Sequence, residues 1–312
     1  MRILLIKTSS LGDVVHNLPV VTDLCSQFPG ASIDWVVEEA FADIPRLHPG
    51  VDQIIPVAVR RWRQSPLSPQ TWREVGSLRK RLGMARYDIA IDTQGLLKSA
   101  LITRMAHTRR CGYAADSARE PLASRFYDAR FQVAKALHAV ERNRRLVAQA
   151  GGYAFAGAPD YGIAAVPAPT PGPTAVLLTA TSRDDKLWPE DRWIALGCEF
   201  HARGLHCRLP AGNGAERERA ERIAARIPHA NPLPPSCLGE LAAQLSAARI
   251  VVGVDTGLVH LAAALGAPTL ALFSASDPAL TGVLARTPAI NLGRRGQPPS
   301  VADVLASAMP LI

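Results

Sequence analysis

Four stretches of this 312-residue chain place a carboxylate, hydroxyls or a cation where a short apolar run gives way to a loop. Val251–Val254 delivers Asp255-Thr256-Gly257-Leu258-Val259-His260 to the start of a helical pattern. Backbone N–H groups of Thr256, Gly257 and Leu258, aided by the positive end of the helix dipole, suit phosphate oxygens. Asp255 suits sugar hydroxyls, and His260 lies on the first turn; the competing reading is that Asp255 or Thr256 caps the helix. Thr179–Pro189 also joins a strand to a helix, and its Thr181 and Ser182 hydroxyls and Lys186 cation are groups that a diphosphate needs. The spacing is not that of a Walker loop. Glu216, after Gly212-Asn213-Gly214-Ala215, fits ribose hydroxyls or, equally, a first-turn helix carboxylate. In Thr8–His16, Asp13 stands beside Gly12 at a helix start, where a carboxylate can take a proton from a hydroxyl or merely cap the helix. Arg60-Arg61-Trp62-Arg63, Lys98, Arg119, Arg142, Arg144 and Arg145 supply cations for an anionic partner or a solvated face.

These groups need strands that end at loops. Short apolar runs at 2–7, 32–37, 53–57 and 87–92, with a helix over 18–28, predict an α/β unit whose parallel sheet is covered on both faces. The alternation repeats in the second half. Strands are expected at 174–179, 206–210, 249–254 and 269–273, and helices at 190–202, 215–225 and 257–265. In such sheets ligands bind beyond the carboxyl ends of the strands. Ala165–Pro173 is too rich in proline for a helix or central strand and predicts a linker. It divides the chain into domains at 1–164 and 174–312, with a C-terminal helix able to pack back on the first.

Charge is distributed unevenly. Residues 1–150 carry 22 Lys/Arg against 14 Asp/Glu, whereas residues 151–312 carry 13 of each, so the net +8 belongs to the first half. That half offers a field to an anionic partner. Aromatic residues are too sparse, at 5%, for a platform that stacks single-stranded nucleic acid. No apolar run approaches the roughly 20 residues that span a bilayer, and the start reads as a strand rather than a signal peptide. The expected setting is cytoplasmic or peripheral to a membrane. Five cysteines without a CxxC pair read as buried thiols, and no ligand spacing suggests a metal.

Taken together, the segments at 7–16, 60–63, 92–99, 118–124, 138–142, 183–189 and 255–260 resemble the lipopolysaccharide heptosyltransferase family. Asp184-Asp185-Lys186-Leu187-Trp188-Pro189 favours its branch that adds the first inner-core heptose over the branch that adds the second. The resemblance implies an α/β, GT-B glycosyltransferase fold, two Rossmann-like domains facing across a cleft. It implies inverting transfer from ADP-L-glycero-β-D-manno-heptose to Kdo-modified lipid A at the cytoplasmic face of the inner membrane, without cofactor, metal or nucleic acid. Asp13 becomes the catalytic base. Thr181, Ser182, Lys186, Glu216, Ser236, Asp255, Thr256, Gly257, Leu258 and His260 become donor contacts, and Arg60, Arg61, Arg63, Lys98 and Arg119 acceptor contacts. Ser182 stands where relatives can carry Thr, which keeps the hydroxyl; Ser236 stands where they can carry Met, so its contact to adenine falls on the backbone. A nucleotide-binding module without catalysis is the alternative from another class.

Overall fold

The structure, a computed structural model, describes residues 1–170 and 172–312; Pro171, in the proline-rich stretch, lies outside the described residues. The chain divides into two units, Met1–Gly157 and Ala158–Ile312. The boundary falls upstream of the stretch expected to link them. The reason is that this stretch is tied to the second unit: Ala168 N–H donates to Ala243 O (2.9 Å), Ser246 Oγ to Ala165 O (3.4 Å) and the Tyr161 hydroxyl to Leu284 O (2.7 Å).

The first unit contains β1 (Arg2–Ile6), β2 (Ser32–Glu38), β3 (Gln53–Val57), β4 (Ile89–Asp92), β5 (Arg109–Tyr113) and β6 (Ala129–Phe131). Every pairing is parallel, in the order β3-β2-β1-β4-β5-β6. Ile3, Leu4, Leu5 and Ile6 of β1 are fully buried, each worth roughly 1.5–3 kcal/mol by apolar burial. That continuous apolar run is what a central parallel strand requires. The order reverses between β1 and β4. The loops after these two strands therefore flank the switch point at which doubly wound sheets bind ligands.

The second unit repeats the plan with β7 (Thr174–Leu178), β8 (His206–Leu209), β9 (Asn231–Pro232), β10 (Ile250–Val254), β11 (Thr269–Phe273) and β12 (Ala289–Gly293), in the order β12-β11-β10-β7-β8-β9. Its switch point lies between β7 and β10. Gly253 allows the close approach there, since a Cβ would lie 2.7 Å from Leu178 Cβ and 2.5 Å from Val259 Cγ1. Trp188, Trp193 and Phe200 are packed in this unit's core. The C-terminal helix Val301–Ala308 packs in that same core through Val304 and Ala308. β5, β6, β9 and β12 are too short or too polar to stand out in the sequence, and pairing with a buried neighbour decides them.

Candidate active site

At the first switch point the loop after β4 supports the loop after β1. Asp92, buried at the strand end, accepts from Gln94 N (2.8 Å), Gly95 N (3.2 Å) and the Tyr127 hydroxyl (2.7 Å). Burial pushes its carboxyl upward against these bonds. Gly95 has φ +67°, and a Cβ would sit 3.1 Å from the Tyr113 ring, so both conformation and space call for glycine. The loop so formed points Gln94 Oε1 at Thr8 N (3.0 Å) and Ser9 N (3.1 Å), fixing the chain that carries Asp13.

Asp13 lies in the helix Leu11–Val15, its side chain 12% exposed. Its Oδ2 accepts from Ser10 N (3.1 Å) and from Arg119 (3.0 Å), while Oδ1 accepts the second Arg119 N–H (2.6 Å). The cap and the ion pair share one carboxylate. The pocket around it is also lined by Lys7, Thr93, Gln94, Tyr113, Arg142 and Asn143. The Lys7 ammonium, 3% exposed, donates to Thr93 O (2.8 Å) and Asn143 Oδ1 (3.3 Å), and Tyr113 donates to that same oxygen (3.2 Å). Burial lowers Lys7 to about 8. Burial would raise Asp13, but the charges of Lys7 and Arg119 outweigh it and hold the carboxyl well below its usual range. Arg142 stacks 5.1 Å over Tyr113 and donates to Ser117 O (2.6 Å).

A basic cluster lies beside this pocket. Lys98 Nζ donates to Ser9 Oγ (2.8 Å). Burial, with the positive charges of Arg60 and Arg63 adding to it, lowers its ammonium. Arg60 stacks 5.0 Å over Phe41. Arg61 differs, since it is committed to Glu74 (3.0 Å) and Glu39 (3.3 Å).

At the second switch point, Asp255 follows β10. It accepts from Lys186 Nζ (2.6 Å) and from the Ser276 hydroxyl, and His260 Nε2 stands 3.9 Å from its other oxygen. Burial would raise its carboxyl; bonds from His260, Lys186 and Ser276 prevail and depress it. Thr181 Oγ1 donates to Asp255 O (3.1 Å), joining the loop after β7 to the loop after β10. That first loop is pinned at its far end by Trp188, 2% exposed, whose indole donates to Pro299 O (3.0 Å). Ser182 is exposed beside it. Thr256 occupies the N-cap position of the helix Gly257–Ala264, yet its hydroxyl makes no capping bond, so the capping reading fails for Thr256.

The sequence profile of Glycosyltransferase family 9 (heptosyltransferase) matches residues 75–304. The curated relative "Lipopolysaccharide heptosyltransferase 1" of Pseudomonas aeruginosa is 48% identical over 295 residues, covering 92% of this chain and 82% of its own length. The chain belongs to the family 9 heptosyltransferases. The Escherichia coli K12 protein of the same name is 46% identical, with 90% of each chain covered. Among solved structures, "E. coli heptosyltransferase WaaC with ADP" superposes with a TM-score of 0.94 at 41% identity over the whole of both chains. "Structure of E. coli ADP-heptose lps heptosyltransferase II" reaches 0.77 at 22%, covering 100% of this chain and 98% of its own, a likeness of fold alone. The two six-stranded parallel sheets are thus those of an α/β GT-B glycosyltransferase.

Within this family 9 heptosyltransferase, not every expected contact is presented alike. Asp255, Lys186, Thr181 and His260 come together, and so do Asp13 and Arg119. The Glu216 carboxylate is occupied by its own loop, accepting from Gly212 N (2.7 Å) and Asn213 Nδ2 (2.8 Å), as the helix-start reading anticipates. Ser236 Oγ donates to Pro234 O (2.9 Å). Tyr113 and Asn143 escaped sequence reading, and Lys7 and Gln94 entered it only as members of the segments at 7–16 and 92–99, because only tertiary pairing places them around Asp13. Ser276 did leave a signal: Ser274-Ala275-Ser276 directly follows β11.

Proposed function

We propose that this chain transfers L-glycero-D-manno-heptose from ADP-L-glycero-β-D-manno-heptose to a Kdo residue of Kdo-modified lipid A, with inversion, in the lipopolysaccharide inner core. Its setting is the cytoplasmic face of the inner membrane, to which it binds peripherally; among the described residues no helix is long and apolar enough to cross a membrane. The observation that carries the reading is Asp13, an ionised carboxylate at a sheet switch point, surrounded by Lys7, Arg119 and Arg142. The relatives' names and the ADP-heptose analogue of "E. coli heptosyltransferase WaaC with ADP-2-deoxy-2-fluoro heptose", 41% identical, support the donor.

Asp13 is the general base. While Arg119 holds both its oxygens the carboxylate is a poor one. An acceptor carboxylate that draws Arg119 to itself raises Asp13 toward the range in which it can take the hydroxyl proton. Arg60, Arg63 and Lys98 bind the acceptor's remaining negative charge. On the donor side Lys186 exchanges Asp255 for the diphosphate, and the freed carboxylate accepts from heptose hydroxyls. Thr181, Ser182 and the N–H groups at Thr256, Gly257 and Leu258 receive phosphate oxygens, and Glu216 and Ser236 lie on the nucleotide side. The C–O bond to ADP breaks through an oxocarbenium-like state as the Kdo oxygen attacks. The charge left on ADP is held by Lys186 and the helix start.

Release of ADP and appearance of the heptosylated product are followed after mixing ADP-heptose with Kdo-lipid A. Transfer is expected on this acceptor. Release only with an acceptor that already carries one heptose would assign the second addition instead, and none with either acceptor would leave a binding module without catalysis.

A further inference from the structure

Two short segments of the first unit turn leucines outward. The helix Leu97–Thr103 exposes Leu97 and Leu101, the latter 46% exposed, and Arg104 continues the same stripe at the i, i+4, i+7 spacing of one helix face. The 3₁₀ segment Pro121–Phe126 exposes Leu122, at 55%, and Arg125. Three residues per turn put these two on one face. The segments pack together through Ala100, Ala123 and Tyr127, and Glu120 accepts from Leu97 N. Leucines flanked by exposed arginines fit an interface in which apolar tips enter the acyl boundary and guanidinium groups meet anionic headgroups. This face is also continuous with the candidate site. Lys98, the neighbour of Leu97, donates to Ser9 in the loop that leads to Asp13.

From this juxtaposition we propose that Leu97, Leu101, Leu122, Arg104 and Arg125 form the face on which the protein docks on the anionic lipid surface carrying its acceptor. The inference rests on the acceptor being a membrane glycolipid. A sugar bound at Asp13 then runs along Lys98 toward acyl chains anchored in the same bilayer on which the leucines rest.

The test is partition of substrate-free protein onto phosphatidylcholine–phosphatidylglycerol vesicles, against phosphatidylcholine alone. The Leu101→Glu/Leu122→Glu pair is expected to lower partition onto the mixed vesicles by about tenfold or more. Arg104→Ala/Arg125→Ala should lower it by roughly tenfold to thirtyfold there, with little effect on neutral vesicles. Both pairs should retain turnover on a deacylated, water-soluble acceptor and lose it on acceptor embedded in vesicles. Should the leucine pair fail to fold, as read by its melting temperature, the arginine pair decides. The proposal is overturned if wild-type protein ignores anionic vesicles or if either pair that folds partitions like wild type. It is overturned equally if Leu67→Glu/Trp72→Glu, elsewhere on the surface, abolishes binding instead, or if the leucines prove by sedimentation to hold a second copy of the chain. Failure of heptose transfer on every acceptor would sink the catalytic reading while leaving vesicle partition to be read by itself.

Discussion

Each unit of this heptosyltransferase holds one depressed carboxylate at the switch point of a six-stranded parallel sheet, Asp13 after β1 and Asp255 after β10. The two are neutralised differently. Asp13 is gripped bidentately by Arg119 and backed by Lys7, in a half of the chain with a net charge of +8. Asp255 is balanced by a single lysine, a hydroxyl and a histidine, at the start of an uncapped helix in a half whose charges cancel. A surplus of cations around a carboxylate suits an anionic substrate that displaces one of them and leaves a base behind. A matched pair beside open N–H groups suits an anionic ligand that takes the lysine and leaves a carboxylate free to accept from its hydroxyls. The two sheets share one topology, but the loop after β1 in one and the loop after β10 in the other, which lie on opposite sides of their switch points, differ in charge balance.

The comparison breaks first at Asp13. Asp13→Asn keeps a bond to Ser10 N and removes the proton acceptor, so turnover should fall by roughly a hundredfold to ten-thousandfold, with ADP binding by calorimetry unchanged. Near-wild-type turnover in a normally stable variant would reduce Asp13 to a cap. At the other carboxylate, Lys186→Ala should lower kcat/KM for the donor by roughly tenfold to a hundredfold, the loss of one charge-assisted contact, while acceptor KM holds. Unaltered donor kinetics would remove Lys186 from the diphosphate.

A third effect sharpens the contrast through pH. If the Lys7 ammonium is needed beside Asp13, its value of about 8 sets an alkaline limb, and kcat/KM at pH 9 should be about tenfold below that at pH 7. The folded-state value lies below the unfolded one of about 10.4. Burying the charged form therefore costs stability below pH 8, and that cost declines as pH rises through 8. Relative to Lys7→Met, wild type should gain thermal stability over the interval in which it loses turnover. A profile flat to pH 9 would exclude Lys7 from the mechanism. The smallest effect belongs to the basic cluster. Arg60→Ala and Arg63→Ala should each raise acceptor KM severalfold and flatten its salt dependence, since screening acts over about 8 Å at physiological ionic strength. Arg61→Ala should change KM less, because its guanidinium is already held by Glu39 and Glu74; an equal rise for all three would show that those pairs open when acceptor binds.

Periodicity and apolar runs sufficed to read β1 to β4 in the first half and β7, β8, β10 and β11 in the second, and loops after these strands carry Asp13, Lys186 and Asp255. Turn chemistry alone left Asp13 balanced between cap and base, and Asp255 between cap and sugar contact. Asp13 in fact does what a cap does and pairs with Arg119 as well. Its partner lies 106 positions along the chain, a separation that no local pattern records.

Residue type and short-range spacing were enough to show where most strands lie, where their loops begin and which half is positive. Tertiary structure alone decided that Lys7 and Arg119 surround Asp13, that Lys186 rests on Asp255 and that Arg61 is spent on Glu74. Charge balance at a site is a sum over residues brought together by parallel pairing, and a parallel crossover separates sheet neighbours by whole helices of intervening chain.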